Sequence, residues 1–438
     1  MKVAVLGGGL AGLYAARGLL KLGAEVKVLE AAETSGGLCR TVTRGRHAWD
    51  LGPHAFYSKD PAAMAHFRSL PLRYAERARN VRICHRTRGG LREVAYPFEN
   101  GLADLPLAER WECVSGYVRA AWRRPPGGYA HLRDWIERGL GPGIARLFML
   151  PYNAKIWNAP LEEISMDLVS GKIDPDPAHK VIRQALFRGS VGRAYQARFI
   201  YPEEGGAGAV PAALAADLGP RVVTGWRAAG LERAGGAWTV RSADGKSERA
   251  DAVVSTIPVP ELLGALGAAA PAGLPGDFTA NDTFFVAVGL KEGAPAGNFA
   301  PCHWVFFAGP ECFYRLTPMH NLRGGGPPVL VAEITRKGGA AALSPREIGD
   351  GVLRDLLDCG VLRDESAVEF VEVTLQRFTY PIPTLGLGEA RRKLEDFARP
   401  RNLHLLGRSG RWEYLNADGV LVRAEAFLRE RGPGLAAA

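Results

Sequence analysis

The sequence predicts an α/β protein in which a Rossmann-like nucleotide domain is interrupted by an antiparallel β-sheet domain and a helical domain. Three observations predict it. The apolar strand Lys2-Val3-Ala4-Val5-Leu6 runs directly into Gly7-Gly8-Gly9-Leu10-Ala11-Gly12. Residues 104–190 carry Leu, Ala, Arg and Trp at helical spacing. Residues 280–335 alternate apolar and polar with closely spaced turns, as antiparallel strands do. A chain of 438 residues exceeds one hydrophobic core, so two or three units are expected.

The spacing G-x-G-x-x-G is met by Gly7, Gly9 and Gly12. In that pattern the first glycine turns the backbone, the second lets a pyrophosphate approach, and the third lets the helix pack on the strand. A helix from Leu10 to Leu22 then aims its N-terminal amides at the pyrophosphate. A second strand, Glu25 to Leu29, ends in Glu30, whose carboxylate is placed to accept both ribose hydroxyls. Strand, motif, helix, strand and acid fall in register; NAD and FAD both remain open at this point. Short strands follow at Arg221-Val222-Val223, Trp238-Thr239-Val240 and Ala252 to Ser255. The tail holds a strand from Leu403 to Leu406 and a closing helix from about Ala417 to Arg431. The expected division is discontinuous: residues 1–80, 195–275 and 385–438 build the nucleotide domain, 81–103 and 276–384 the antiparallel sheet, and 104–194 the helical domain.

Composition excludes several classes. Apolar residues make up 47% and charged residues 23%, a globular balance. The net charge of +9 is spread along the chain, without a basic run or a nucleic-acid-binding signature. Such a field suits an anionic small substrate, so no nucleic-acid partner is expected. The cysteines (Cys39, Cys84, Cys113, Cys302, Cys312, Cys359) show neither a C-x-x-C pair nor metal spacing. They read as reduced thiols, and no metal is expected. The N-terminus enters a strand with no signal-peptide profile, and no apolar run reaches the roughly eighteen residues a membrane span needs. A cytoplasmic location is the expectation.

Two segments lean toward FAD. Gly36-Gly37-Leu38-Cys39-Arg40-Thr41 resembles the loop that amine-oxidase-like flavoproteins set against the second phosphate and ribityl chain. Leu405-Leu406-Gly407-Arg408 and Asp418-Gly419-Val420 resemble the C-terminal flavin motif of that class. Four further segments resemble the UDP-galactopyranose mutase family, its eukaryotic-type branch more than its bacterial one. They are Asp50-Leu51-Gly52-Pro53-His54, Tyr96-Pro97-Phe98-Glu99-Asn100, Pro151-Tyr152-Asn153-Ala154-Lys155-Ile156-Trp157, and His303-Trp304 with Phe313-Tyr314-Arg315. Tyr380-Pro381-Ile382-Pro383 and Gly407-Arg408-Ser409-Gly410-Arg411-Trp412-Glu413-Tyr414 resemble two later active-site segments of the same family.

The resemblance implies an isomerase without net redox change, in which N5 of reduced FAD is the nucleophile at an anomeric carbon and NAD(P)H is a candidate reductant. It implies that His54 supports the flavin, that Arg315 and Lys172 hold a diphosphate, and that Tyr380 and Tyr414 donate to it. Tyr96, Glu99, Asn153, Trp157 and Asn416 then contact a nucleotide-sugar substrate. Gly7, Gly9, Gly12, Glu30, Gly37, Leu38, Arg40, Val223, Gly407, Arg408 and Asp418 contact FAD. Taken singly, Trp157, Trp304, Tyr380 and Tyr414 also suit packing roles, and Arg315 a structural ion pair. Departures from the family put the substrate in doubt. Glu99 stands where the family has glutamine, Lys172 where it has arginine, and Phe306 and Leu322 where tyrosines near the sugar are expected. A carboxylate only accepts hydrogen bonds, so Glu99 suits adjacent donors such as those of guanine better than uracil. The competing function is an FAD-dependent, amine-oxidase-like oxidoreductase, which needs the same glycine motif.

Overall fold

The computed structural model describes residues 1–168, 176–187, 197–295, 297–338 and 344–437. Five parallel strands form one sheet in the order Leu403–Leu405, Ala252–Ser255, Lys2–Leu6, Glu25–Leu29, Val222–Val223. Segments from the start, middle and end of the chain thus meet side by side. Their near-continuous apolar runs follow from cover on both faces. Val3, Val5, Val26 and Val28 pack beneath the helix Leu10–Lys21, whose Leu13 and Leu19 are fully buried. Ala4, Leu6 and Leu29 face the other way, onto Leu231, Trp238 and Val240 of a three-stranded antiparallel sheet. The closing helix spans Ala417–Ala436, further than the sequence suggested, and packs along Leu10–Lys21.

A seven-stranded sheet takes the order Val368–Pro381, Ala280–Leu290, Val329–Lys337, Arg315–Pro318, Trp304–Phe307, Val81–Thr87, Gly90–Ala95. It is the expected antiparallel sheet, with one parallel pair where Trp304–Phe307 runs alongside Val81–Thr87. Val81–Thr87 enters from far along the chain rather than through a hairpin, so nothing forces it to run opposite its neighbour. The helices Leu107–Trp122, Leu132–Leu140, Leu150–Trp157 and Ala178–Phe187 lie in the stretch read as helical. Among the described residues no helix is long and apolar enough to cross a membrane. All six cysteines are free, and all but Cys312 are buried.

Two glycines decide whether the pieces close. A Cβ at Gly12 would sit 2.0 Å from the Gly7 carbonyl oxygen, and one at Gly407 would sit 2.5 Å from the Ala11 Cβ. Only a bare Cα lets the first helix lie this low on its own strand and against the C-terminal turn. Gly12→Ala is therefore expected to destabilise the protein by about 1–3 kcal/mol, the usual cost of overpacking. Thermal unfolding followed by circular dichroism should show an earlier midpoint, and an unchanged midpoint would refute the close-packing role.

Candidate active site

The nucleotide cradle is built from backbone. Gly7 adopts φ +98° and Gly37 φ +56°, and the Gly36 amide donates to the Gly8 carbonyl at 2.8 Å. The two glycine-rich loops are thereby zipped together, with Leu38 carried on the short turn Gly37–Cys39. A Cβ at Gly9 would meet only the Gly37 Cα, at 3.8 Å, so that face stays open. The first turn of Leu10–Lys21 has neither a side-chain cap nor an acid, leaving its amides for an anion. Glu30 accepts from the Gly8 amide at 2.5 Å and the Ala32 amide at 2.8 Å. A carboxylate accepts about four hydrogen bonds, so capacity for ribose hydroxyls remains. Val223 fixes the same corner, its carbonyl accepting from the Glu30 amide at 2.9 Å. Arg40 ties the second loop to the Gly37 carbonyl and Gln376. Asp418, in the first turn of the closing helix, accepts from Ser58 at 2.8 Å, and Asn416 stands exposed at that helix's N-cap. An open glycine face, uncapped amides and a paired acid fit a dinucleotide.

A polar cluster on the seven-stranded sheet forms the second half of the site. Glu333 is 1% exposed and accepts from Arg315 through both oxygens, at 2.7 and 2.6 Å. Tyr314 donates to the same carboxylate at 2.8 Å and lies 2.8 Å, hydroxyl to hydroxyl, from Tyr380. Burial works against the Arg315 charge, and Glu333 more than offsets it, leaving the guanidinium firmly protonated. A bulge brings Tyr380 here: Asn281 pairs with Tyr380 but Thr283 with Gln376, and Phe378 between them takes φ +56°. Asn281, fully buried, donates to the Ile156 and Trp157 carbonyls at 2.7 and 2.8 Å, docking the end of Leu150–Trp157 beside Tyr380. Tyr380 and Tyr414 stack with centroids 5.9 Å apart, and Trp157 stands edge-on to both. Asn153 orients that indole, accepting its N–H at 3.2 Å.

Arg408 lies over both tyrosine rings, 5.1 and 4.7 Å from their centroids, while donating to the Thr379 and Leu415 carbonyls. Burial first, then the Tyr380 hydroxyl, pushes the Tyr414 phenol up to about 12. His54 has its Nδ1 3.1 Å from the Gly52 carbonyl, and burial followed by Arg408 and Arg315 lowers its pKa to about 4. It is a neutral imidazole near physiological pH. Neighbouring rings form a ladder of Phe98, Phe148, Tyr152, Phe306 and Tyr96, with successive centroids 4.8 to 5.4 Å apart. Arg79 adds a guanidinium over Tyr96 and Trp304.

His54, Arg315, Tyr380, Tyr414, Asn153, Trp157 and Arg408 are thus brought together, and Tyr96 adjoins them through Phe306. Lys172 lies outside the described residues. Glu99 is half-buried in the turn Phe98–Asn100; after burial, its charge is the next cause raising the Tyr117 phenol. Leu322 is wholly buried in the core, its carbonyl accepting from Arg77, a correction to the sugar-facing position expected for it. Sequence reasoning missed Glu333, although a lone carboxylate inside the apolar run Val329–Ile334 signals a buried pair. It also found no metal-ligand cluster, whereas the fold gathers Cys84, Glu311 and Cys359 within 4.8 Å of one another. There the Arg86 guanidinium donates to Glu311 at 2.7 Å and lies 3.5 Å from the Cys359 sulfur, supplying the local positive charge.

Residues 10–421 match the family described as flavin containing amine oxidoreductase, and the chain belongs to that family of FAD-dependent flavoenzymes. It is 29% identical over 206 residues to coproporphyrinogen III oxidase of Propionibacterium freudenreichii subsp. freudenreichii, covering 43% of this chain and 38% of that protein. It is 28% identical over 296 residues to phytoene dehydrogenase of Streptomyces griseus, covering 60% and 56%. The chain thus spans less than two-thirds of the length of these curated relatives. Among solved structures, reduced UDP-galactopyranose mutase superposes with a TM-score of 0.88 at 24% identity, covering 100% of this chain and 97% of that one. That likeness concerns the fold.

The site's electrostatics give a pH prediction. Burial is the first cause lowering His54, His66, His303 and His404, each to about 4 from 6.5. Between those values the unfolded chain holds more protons, so stability rises with pH across pH 4 to 6.5. Asp50, raised by burial to about 6 from 3.8, acts oppositely between 3.8 and 6. Unfolding midpoints measured across pH 4 to 6.5 should climb, and more steeply in Asp50→Asn. A flat or falling profile in the unmodified protein would contradict four imidazoles held neutral in the folded state.

Proposed function

We propose that this flavoenzyme is a sugar-nucleotide mutase of the UDP-galactopyranose mutase type, interconverting pyranose and furanose forms of a nucleotide-linked sugar. The observation that carries the reading is the convergence of Arg315, Tyr380 and Tyr414 on one face of the seven-stranded sheet, walled by Trp157. FAD held by the Gly7–Gly12 and Gly36–Thr41 loops and by Glu30 would, in its reduced form, supply a nucleophile, N5, for the anomeric carbon. Arg315 and the two phenols are donors for the departing diphosphate, held in place before charge develops on it. Glu333 sets the Arg315 fork, and Lys172 is the candidate second cation. The neutral His54 imidazole, tethered to the Gly52 carbonyl, supports the flavin side of the site without adding charge. Tyr96 and Tyr152, the partly exposed rings of the ladder, are the candidate stacking faces for a base, and Glu99 is the candidate group that reads it.

A second reading, an amine-oxidase-like oxidoreductase, is favoured by one specific feature. Glu333 neutralises Arg315, which weakens the case for a doubly charged substrate group there. The oxidase and dehydrogenase named among the relatives point the same way.

Incubating dithionite-reduced protein with a panel of nucleotide sugars should yield furanose products with no stoichiometric peroxide. Arg315→Lys, which keeps a charge but loses the fork, should lower kcat by about tenfold or more. Oxygen consumption in proportion to substrate would establish the oxidoreductase instead. Glu99 generates a separate outcome: GDP should compete at least as well as UDP for the reduced protein, and Glu99→Gln should shift preference toward uridine. A strong UDP preference unchanged in Glu99→Gln would show that this carboxylate does not read the base.

A further inference from the structure

The helix Leu107–Trp122 buries one face and leaves the other bare. Cys113, Gly116, Tyr117 and Ala120 pack inward, against the helices Leu132–Leu140 and Ala178–Phe187. On the outside, Leu107 is 77% exposed, Trp111 73% and Trp122 84%. Trp111 and Trp122 are eleven positions apart, close to three turns of about 3.6 residues, so they share one side of the helix. Leu107 and Val118 fall on the same side by the same spacing. Large apolar side chains this exposed and this aligned mark an interaction surface rather than ordinary scatter. The neighbouring helix Ala178–Phe187 ends in exposed Leu186 and Phe187.

Charge identifies the partner. From Cys113 to Leu132 the chain carries Arg119, Arg123 and Arg124, all exposed, and no carboxylate. The acids nearer the start of the helix are engaged, Glu109 with His85 and Glu112 with Arg146, each at 2.6 Å. Arg119 and Arg123 form no ion pair among the described residues. We infer that this face docks on an anionic lipid surface, with Trp111 and Trp122 seated at headgroup depth and the arginines against lipid phosphates. Tryptophan suits that depth because its ring is apolar and its N–H still reaches a polar layer. A row of apolar side chains flanked by arginines is the pattern of helices that lie in the interface plane. A second copy of this chain fits less well, since a two-fold contact would bring the same arginines face to face.

The inference stands apart from the reaction assigned to the site. Its test uses the flavin-loaded full chain and sedimentation with phosphatidylcholine vesicles, with and without phosphatidylglycerol. Binding is expected only to the phosphatidylglycerol vesicles, with a blue shift in tryptophan emission and reversal by high salt. The double variant Trp111→Ser, Trp122→Ser should lose that binding while keeping its far-ultraviolet circular dichroism and bound flavin. Arg123→Glu should weaken binding by about fivefold or more, the effect of roughly one basic contact at the surface. Failure to bind, or equal binding by the tryptophan variant, overturns the proposal. So does sedimentation velocity showing a dimer that the tryptophan variant converts to monomer, which would assign the face to a second copy.

Discussion

A carboxylate buried at the centre of the seven-stranded sheet constrains everything around it. Glu333 has essentially no contact with solvent, and an unmatched charge there would cost several kcal/mol. Its oxygens are matched by Arg315 twice and by Tyr314 once, and Tyr314 then fixes the Tyr380 hydroxyl. Tyr380 stacks on Tyr414, and Trp157 meets both edges. The geometry of the site is therefore a chain of consequences of one desolvated acid. The same acid limits what Arg315 can do, because a guanidinium already matched by a carboxylate brings direction and hydrogen bonds but little net charge.

The nucleotide half was legible because its determinants are local. Strand, glycines, helix and acid lie within thirty residues, and each residue type has a backbone reason to be where it is. The parallel strands and the closing helix could be placed from short apolar runs and punctuation. The other half was legible only as segments. Arg315, Tyr380, Tyr414 and Trp157 could be singled out, but what joins them is long-range. The bulge at Phe378 and the Asn281 tether to Trp157 depend on pairing between strands far apart in sequence. Glu333 was overlooked because strand alternation draws attention to apolar positions and away from the single acid among them. Leu322 was placed by sequence position next to the sugar, yet helix packing turns it into the core. The Cys84–Glu311–Cys359 cluster was invisible for a related reason, since its three members lie far apart in the sequence, on one strand and two connecting segments.

The comparisons pull in two directions for a physical cause. The fold positions a cofactor and an adjoining sheet, and proteins named as oxidase, dehydrogenase and mutase resemble this chain to different degrees. With a framework shared this widely, function depends on the groups that line the site. Here these groups are hydroxyls, a directed guanidinium and stacked rings, with an uncharged imidazole nearby. That imidazole, held neutral by burial, is a weaker base than an exposed histidine.

The interleaving of the parallel sheet has a consequence for how the chain is made. The strand Lys2–Leu6 is flanked on one side by Ala252–Ser255, and that strand in turn by Leu403–Leu405. During synthesis the glycine loop and its helix are made well before Ala252–Ser255 and Leu403–Leu405, which cover one side of them. Gly407 must also reach Ala11 before the first helix is covered. Such distant pairings make closure slow and leave apolar strand edges exposed meanwhile. The glycine motif is thus completed only by pairing with segments far along the sequence, and without Leu403–Leu405 and Gly407 it would keep its residues but lose part of its cover.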